Sequence, residues 1–181
     1  MRVFLAAFLL LPLLVSGAVF AAPSDEDKLF TQLHAADSPE TAHPIEQKLE
    51  GMFRISGSAS VDLLMTRAQA ALGGADTGTA KKLLDAVTQV APDFAEGWRA
   101  RAQMQAAAGD DSGAMLSLQK AVTLNPRQFE AMTDLADMLE QYGDKPGALK
   151  LYRRALALDP QLAAASRREK ALAKEIEGQG I

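Results

Sequence analysis

His34, Glu40, His43 and Glu46 form the densest group of possible metal ligands in this 181-residue chain. A metal centre needs three or four ligands held rigidly. Two histidines nine residues apart, set around Pro39 and Pro44, do not build that frame, and the group reads as a polar turn. Gly73-Gly74-Ala75-Asp76-Thr77-Gly78 is rich in glycine like a phosphate loop, but no strand leads into it. The chain has no cysteine, which removes disulfides, thiolate metal sites and a cysteine nucleophile. No paired-carboxylate pocket or nucleophile elbow is present either. Arg167, Arg168 and Lys170 are offset by Glu169, Glu175 and Glu177, the pattern of a solvated helix face. The sequence therefore predicts no enzyme, no metal and no cofactor.

The elements that could position a binding surface are helical. Hydrophobic residues make up 48% of the chain and aromatic residues only 6%, with alanine common throughout. That balance suits closely packed helices rather than sheets, which favour β-branched and aromatic side chains. Residues 1–21 read as a secretory signal peptide. Arg2 gives a positive start, Val3 to Val15 an apolar run, and Val19-Phe20-Ala21 a cleavage site, with Ser16-Gly17-Ala18 as a second choice. Val3 to Ala22 is also about long enough to cross a bilayer, so an uncleaved anchor is the competing reading, and a membrane enters only in that case. No cysteine follows the apolar run, which excludes a lipid anchor there. Loss of Arg2 leaves 18 basic against 23 acidic residues, a balance that speaks against nucleic acid. The expected location is outside the cytoplasm, in the periplasm.

A repeat organises the rest. Pro92, Pro126 and Pro160 are spaced by 34 residues, and the same interval returns Ala68, Ala102 and Ala136, then Ala80, Ala114 and Ala148. Small residues where helices cross allow axes to approach to roughly 8 Å, and proline stops a helix. Leu149, Tyr152 and Leu156 have helical spacing and read as core. Gly109 and Gly143 sit where left-handed caps would end a helix. Asp93 with Glu96 suggests a capping box, and Asp144 with Pro146 a helix start.

This period and these residues resemble the tetratricopeptide repeat (TPR) family, in which each repeat is a helix A–turn–helix B hairpin. The repeats then run 61–94, 95–128 and 129–162. Ala68, Ala102 and Ala136 occupy position 8, and Ala80, Ala114 and Ala148 position 20. Val87, Ala121 and Ala155 occupy position 27. Leu64, Trp98 and Met132 are the large position 4, while Leu84, Leu118 and Tyr152 are position 24. Arg67 and Arg101 replace the usual leucine at position 7, which predicts weaker packing in the first two hairpins.

The resemblance implies an all-α fold: an α-solenoid of three TPR hairpins over 58–176. A divergent N-terminal helical pair at 22–57 is expected to cover the first repeat, or else to offer an apolar surface for self-association. Asp27 to Ala36 is its first helix. Ser38-Pro39-Glu40 starts the second, Pro44 interrupts or kinks it, and Ile45, Leu49, Met52 and Phe53 form its apolar face. Ser56-Gly57-Ser58 links the pair to the repeats. A polar capping helix is expected at 161–176, with Leu162, Ala165, Leu172 and Ile176 inward, followed by a tail at 177–181.

In the family, helix A lines a concave ligand face through positions 2, 5, 9 and 12. Here these are Asp62, Met65, Gln69 and Leu72; Glu96, Arg99, Gln103 and Ala106; and Glu130, Thr133, Asp137 and Glu140. The basic clamp with which some TPR domains hold a C-terminal carboxylate is replaced by Met65, Gln69, Ala100, Glu130 and Asp134. The resemblance thus implies an exported scaffold that binds a neutral or basic segment of a protein or peptide along an acidic groove. A structural, self-associating envelope protein built on the N-terminal apolar helices is the alternative. Chain recovered from the cell envelope should begin at Ala22, as read by mass spectrometry of its N-terminal peptide. Retention of Met1 would identify an anchor instead.

Overall fold

The computed structural model describes residues 23–178, so the expected signal segment lies outside the described residues. Among those residues nine α-helices follow one another and no strand occurs. They are α1 (Asp25–His34), α2 (Pro39–Phe53), α3 (Ala59–Gly73), α4 (Thr77–Val90), α5 (Ala95–Ala107), α6 (Asp111–Leu124), α7 (Phe129–Gln141), α8 (Lys145–Leu158) and α9 (Ala163–Glu177). The pairs α3–α4, α5–α6 and α7–α8 are hairpins stacked in chain order, and α9 packs on the last. The all-α solenoid expected from the 34-residue period is the fold.

Its cause is visible at the helix crossings. Ala68, Ala80, Ala102, Ala114, Ala136 and Ala148 are each at most 1% exposed. Only a methyl group separates the two helices of a hairpin at these points, and Leu84, Leu118 and Tyr152 fill the space beside them. The turns repeat as faithfully. Ala75, Gly109 and Gly143 have φ of 56°, 77° and 86°. The next residues, Asp76, Asp110 and Asp144, cap helix B by accepting from the backbone N–H of Thr79, Gly113 and Gly147 at 2.9–3.0 Å. The glycine-rich segment at 73–78 is thus the turn of the first hairpin. Pro92, Pro126 and Pro160 each stand two residues beyond the end of a helix B.

Several expectations need correction. Asp93 does not cap α5. Its N-cap is Phe94, with no side-chain bond, and Glu96 turns inward. Pro44 lies within α2, which continues through it to Phe53. The ring is on the exposed side, and the bond it forfeits is to a carbonyl near the helix start. The position 7 arginines are not packing defects. Arg101 is 3.1 Å from Asp85 of the preceding hairpin and stacks 5.4 Å over Trp98, whose indole donates to the Pro92 carbonyl. Arg67 is exposed at the end of the array, where no hairpin precedes it.

The N-terminal pair also lies elsewhere than expected. Phe30, Leu33, Ala42 and Leu49 join the core of the second and third hairpins and the cap, with Phe129, Leu135 and Tyr152. The core of the first hairpin, which includes Val61, Met65, Leu84 and Val87, contains no residue of α1 or α2. Phe30 meets Phe129 edge-on at 6.5 Å and Phe53 at 6.4 Å. Arg127 lies 4.1 Å over Phe30 and pairs with Asp27 at 2.7 Å and Glu26 at 3.1 Å. Gln161 donates to the Ala36 carbonyl at 2.8 Å. Most of the apolar side of both helices is therefore used within the chain, and of the α2 face expected from the sequence Met52 alone stays exposed. In α9, Ala165 and Leu172 are buried, and Arg153 of α8 holds Glu169 and Glu177.

Two substitutions should act in opposite directions. Ala75→Gly removes a left-handed alanine and should stabilise the chain by about 1 kcal/mol. Gly97→Ala would place a Cβ 2.7 Å from Val87 Cγ1 between two hairpins, at a cost of about 1–3 kcal/mol. Urea unfolding of both variants checks the signs.

Candidate functional site: the concave groove

Helix A of each repeat begins with an acid at position 2: Asp62, Glu96 and Glu130, 34 residues apart. Each stands in the first turn of its helix, where negative charge suits the dipole. The chain's own N-terminal segment crosses this row. Ser56 donates to Asp62 Oδ1 through its backbone N–H at 2.9 Å and its hydroxyl at 2.6 Å, which holds the Asp62 carboxyl below its ordinary range. Arg54 lies near enough to Glu96 to favour its charge, and Glu50 near enough to Glu130 to disfavour it. Further along α2, Glu46 faces the carboxyl of Asp159. Glu46, Glu50 and Arg54 are successive turns of one helix face, so α2 runs along the stack from the cap towards the second repeat.

The remaining candidate positions separate into buried and open sets. Met65 is only 4% exposed and belongs to the core of the first hairpin, so the ligand-facing role implied for it on the concave face is not available. Position 5 is a seam between neighbouring A helices. There Arg99 bonds Asp134 of the next helix at 2.9 Å and lies 3.6 Å from Glu96. Asp134 was legible only as a clamp position. The signal that marks its pairing is a base and an acid 35 residues apart, one period plus one. Glu96 is 6% exposed and accepts from the buried Gln128 side chain at 2.5 Å. Thr133 is half-buried, its hydroxyl donating to the Glu130 carbonyl at 3.0 Å. Leu72 is half-buried. Glu140 accepts from Tyr152 at 3.2 Å and lies 3.4 Å from Arg168. Gln69, Gln103, Ala106 and Asp137 are exposed, and Asp137 also accepts from the Tyr152 hydroxyl.

Hollows open on this side, including one lined by Asp137, Glu140 and Arg168. Another, of about 590 Å³, lies between α2 and the third repeat, with Glu40, His43 and Glu46 on one wall and Thr133, Asp137 and Tyr152 on the other. His43 is engaged within α2, at 3.0 Å from Gln47 and 3.4 Å from Glu46, while His34 lines a separate hollow beside α1. A further one, of about 190 Å³, lies between the second and third repeats and is lined by Gln103, Ala106, Asp134, Asp137 and Met138. The surface is hollowed between α2 and the repeats, is rich in carboxylates and presents open side chains at position 9.

A family model of the tetratricopeptide repeat matches residues 65–127 and 116–163, more than half of the chain, which belongs to that family. A TPR repeat-containing protein of Rhizobium etli is 31% identical over 107 residues, which span 59% of this chain and 52% of that relative. The chain thus spans about half the length of that relative. Among solved structures, the Sgt2 TPR domain from Aspergillus fumigatus superposes with a TM-score of 0.60 at 20% identity, covering 67% of this chain and 82% of that one. The Arabidopsis OM64 TPR domain gives 0.59 at 21% identity, covering 65% and 97%. The Yersinia enterocolitica chaperone SycD, solved with a peptide of the translocator YopD, gives 0.60 at 15% identity, covering 65% and 95%. At these identities the likeness is one of fold.

The buried acids make the stability of the groove pH-dependent. Burial raises Glu130 to about 7, reinforced by Glu50 and Glu96 and opposed by Arg99. Burial raises Asp159 to about 6, reinforced by Glu46 and opposed by the Gln161 N–H. An acid with a raised pKa stabilises the fold fully below its unfolded value, here 4.5 and 3.8, and loses that contribution as pH rises through 6 and 7. Asp62 and Asp76 are depressed and act the opposite way, but only below their ordinary 3.8. Tm should therefore fall between pH 5 and pH 8, by on the order of 5 °C, and Glu130→Gln should flatten the slope. Thermal melts followed by circular dichroism check this, and a Tm that rises over the interval would contradict it.

Proposed function

We propose that this chain is an exported scaffold that holds a segment of a partner protein on its concave face. One observation carries the reading: the open row Gln69, Gln103 and Asp137, which presents one side chain per repeat along the groove at position 9. Membership of the TPR family supports protein or peptide binding in general, and SycD is a protein of this fold solved with a bound peptide. The exposed acid of that row, Asp137, favours a neutral or basic segment over an acidic one. Export rests on the pattern of residues 1–21 in the sequence. Among the described residues no helix is long and apolar enough to cross a membrane.

A photo-crosslinking side chain placed at position 69, 103 or 137 should trap a partner in cells. The same probe at the exposed helix B sites 89, 120 and 154 should not. Asp137→Lys in the crosslinking chain should lower the yield at position 103 by about fivefold. Equal products from both faces, or products from the helix B side alone, would remove the groove as the binding surface.

A further inference from the structure

The seam between α2 and the repeats is apolar at its centre and mismatched in charge along its edge. Leu49 and Ala42 are fully buried in it, and Ile45 and Phe53 pack beside them. Glu46 meets the carboxyl of Asp159, and Glu50 approaches Glu130. Asp159 is 0% exposed, and its Oδ2 has no hydrogen-bond donor; its Oδ1 accepts only from the Gln161 N–H. Glu130 Oε2 is likewise buried without a donor. A buried carboxylate oxygen without a donor is costly, and a cation brought to it recovers that cost. The repeats thus present two buried acids, Asp159 and Glu130, each of which faces an acid of α2, and Glu46 and Glu50 lie one helical turn apart.

We infer that α2 is a resident stand-in for the partner. The segment that displaces it is an amphipathic helix with the same apolar spacing as Ala42, Ile45, Leu49 and Phe53 and with lysine or arginine where α2 carries Glu46 and Glu50. This inference rests on the concave face being the partner surface and names what that surface takes. The incoming bases answer the Asp159 and Glu130 oxygens, while α2, joined to the repeats by its short connection at 54–58 and to α1, which Arg127 holds, swings aside and can return. The N-terminal pair keeps the apolar strip out of water until such a helix arrives.

The test uses the full chain and two labelled 15-residue peptides. One has the sequence of Pro39–Phe53. The other carries Glu46→Lys and Glu50→Lys. The lysine peptide should bind about tenfold more tightly, and the difference should disappear in a chain carrying Glu130→Gln and Asp159→Asn. Loosening α2 with Leu49→Asp should strengthen binding several-fold. Placing Glu46→Lys and Glu50→Lys in the chain itself should weaken it by a similar factor and raise Tm, which gives a readout even if Leu49→Asp unfolds. Equal affinity of the two peptides, or indifference to the Glu130 and Asp159 changes, overturns the inference. Crosslinking from positions 103 and 137 separates the two levels. A peptide trapped there but insensitive to charge leaves the groove standing without the stand-in, and one trapped only at positions 120 or 154 removes both.

Discussion

Everything in this chain follows from the close approach of antiparallel helices across methyl groups. Six alanines, two per hairpin, are sealed at the crossings. A larger side chain at any of them would push the hairpin open, and the next hairpin would lose the surface it stacks on. Because the same crossing recurs in each hairpin, a residue that recurs every 34 positions falls at the same place on each hairpin and forms a row along the stack. The acids at position 2 and the polar side chains at position 9 are lines along the groove for that reason alone.

The same regularity explains why charge could be concentrated there. Arg99 lies between Glu96, on its own helix, and Asp134, on the next, so one guanidinium serves two repeats. Burial opposes its charge, but the surrounding carboxylates outweigh that and keep it protonated. Burial moves Glu130, which Arg99 offsets only in part, and Asp159 towards neutrality. The groove is thus not uniformly acidic. It has one satisfied site at the junction of the second and third repeats and two unsatisfied ones under the N-terminal helix.

Fold and register were legible because short-range rules enforce them. A proline that stops a helix, a left-handed turn and an aspartate cap act within a few residues, and each recurs at 34. The glycine caps and the start at Asp144 are seen in the structure as read. What was not legible is long-range. Phe30 finds Phe129, and Asp27 finds Arg127, across about a hundred residues with no periodic cue. The order of the chain places the N-terminal pair against the nearest repeat, but the outer side of that repeat keeps Leu63, Thr66 and Arg67 exposed. Met65 was misjudged for a related reason. Position 5 is open only when its side chain can reach solvent past the neighbouring helix A, and an apolar residue turns into the seam instead.

The two separate cores give the molecule a direction of breathing. Helix α5 carries one face into each, with Ala100 and Met104 on the side of the first hairpin and Ala102 on the other. The smaller core closes with a left-handed alanine in its turn and with no contribution from α1 or α2. Sub-global opening therefore begins with α3 and α4, while α5 to α9 and the N-terminal pair stay assembled around the larger core. The array is a larger body with one smaller leaf, and that leaf is joined to the covering helix by the short strap at 54–58.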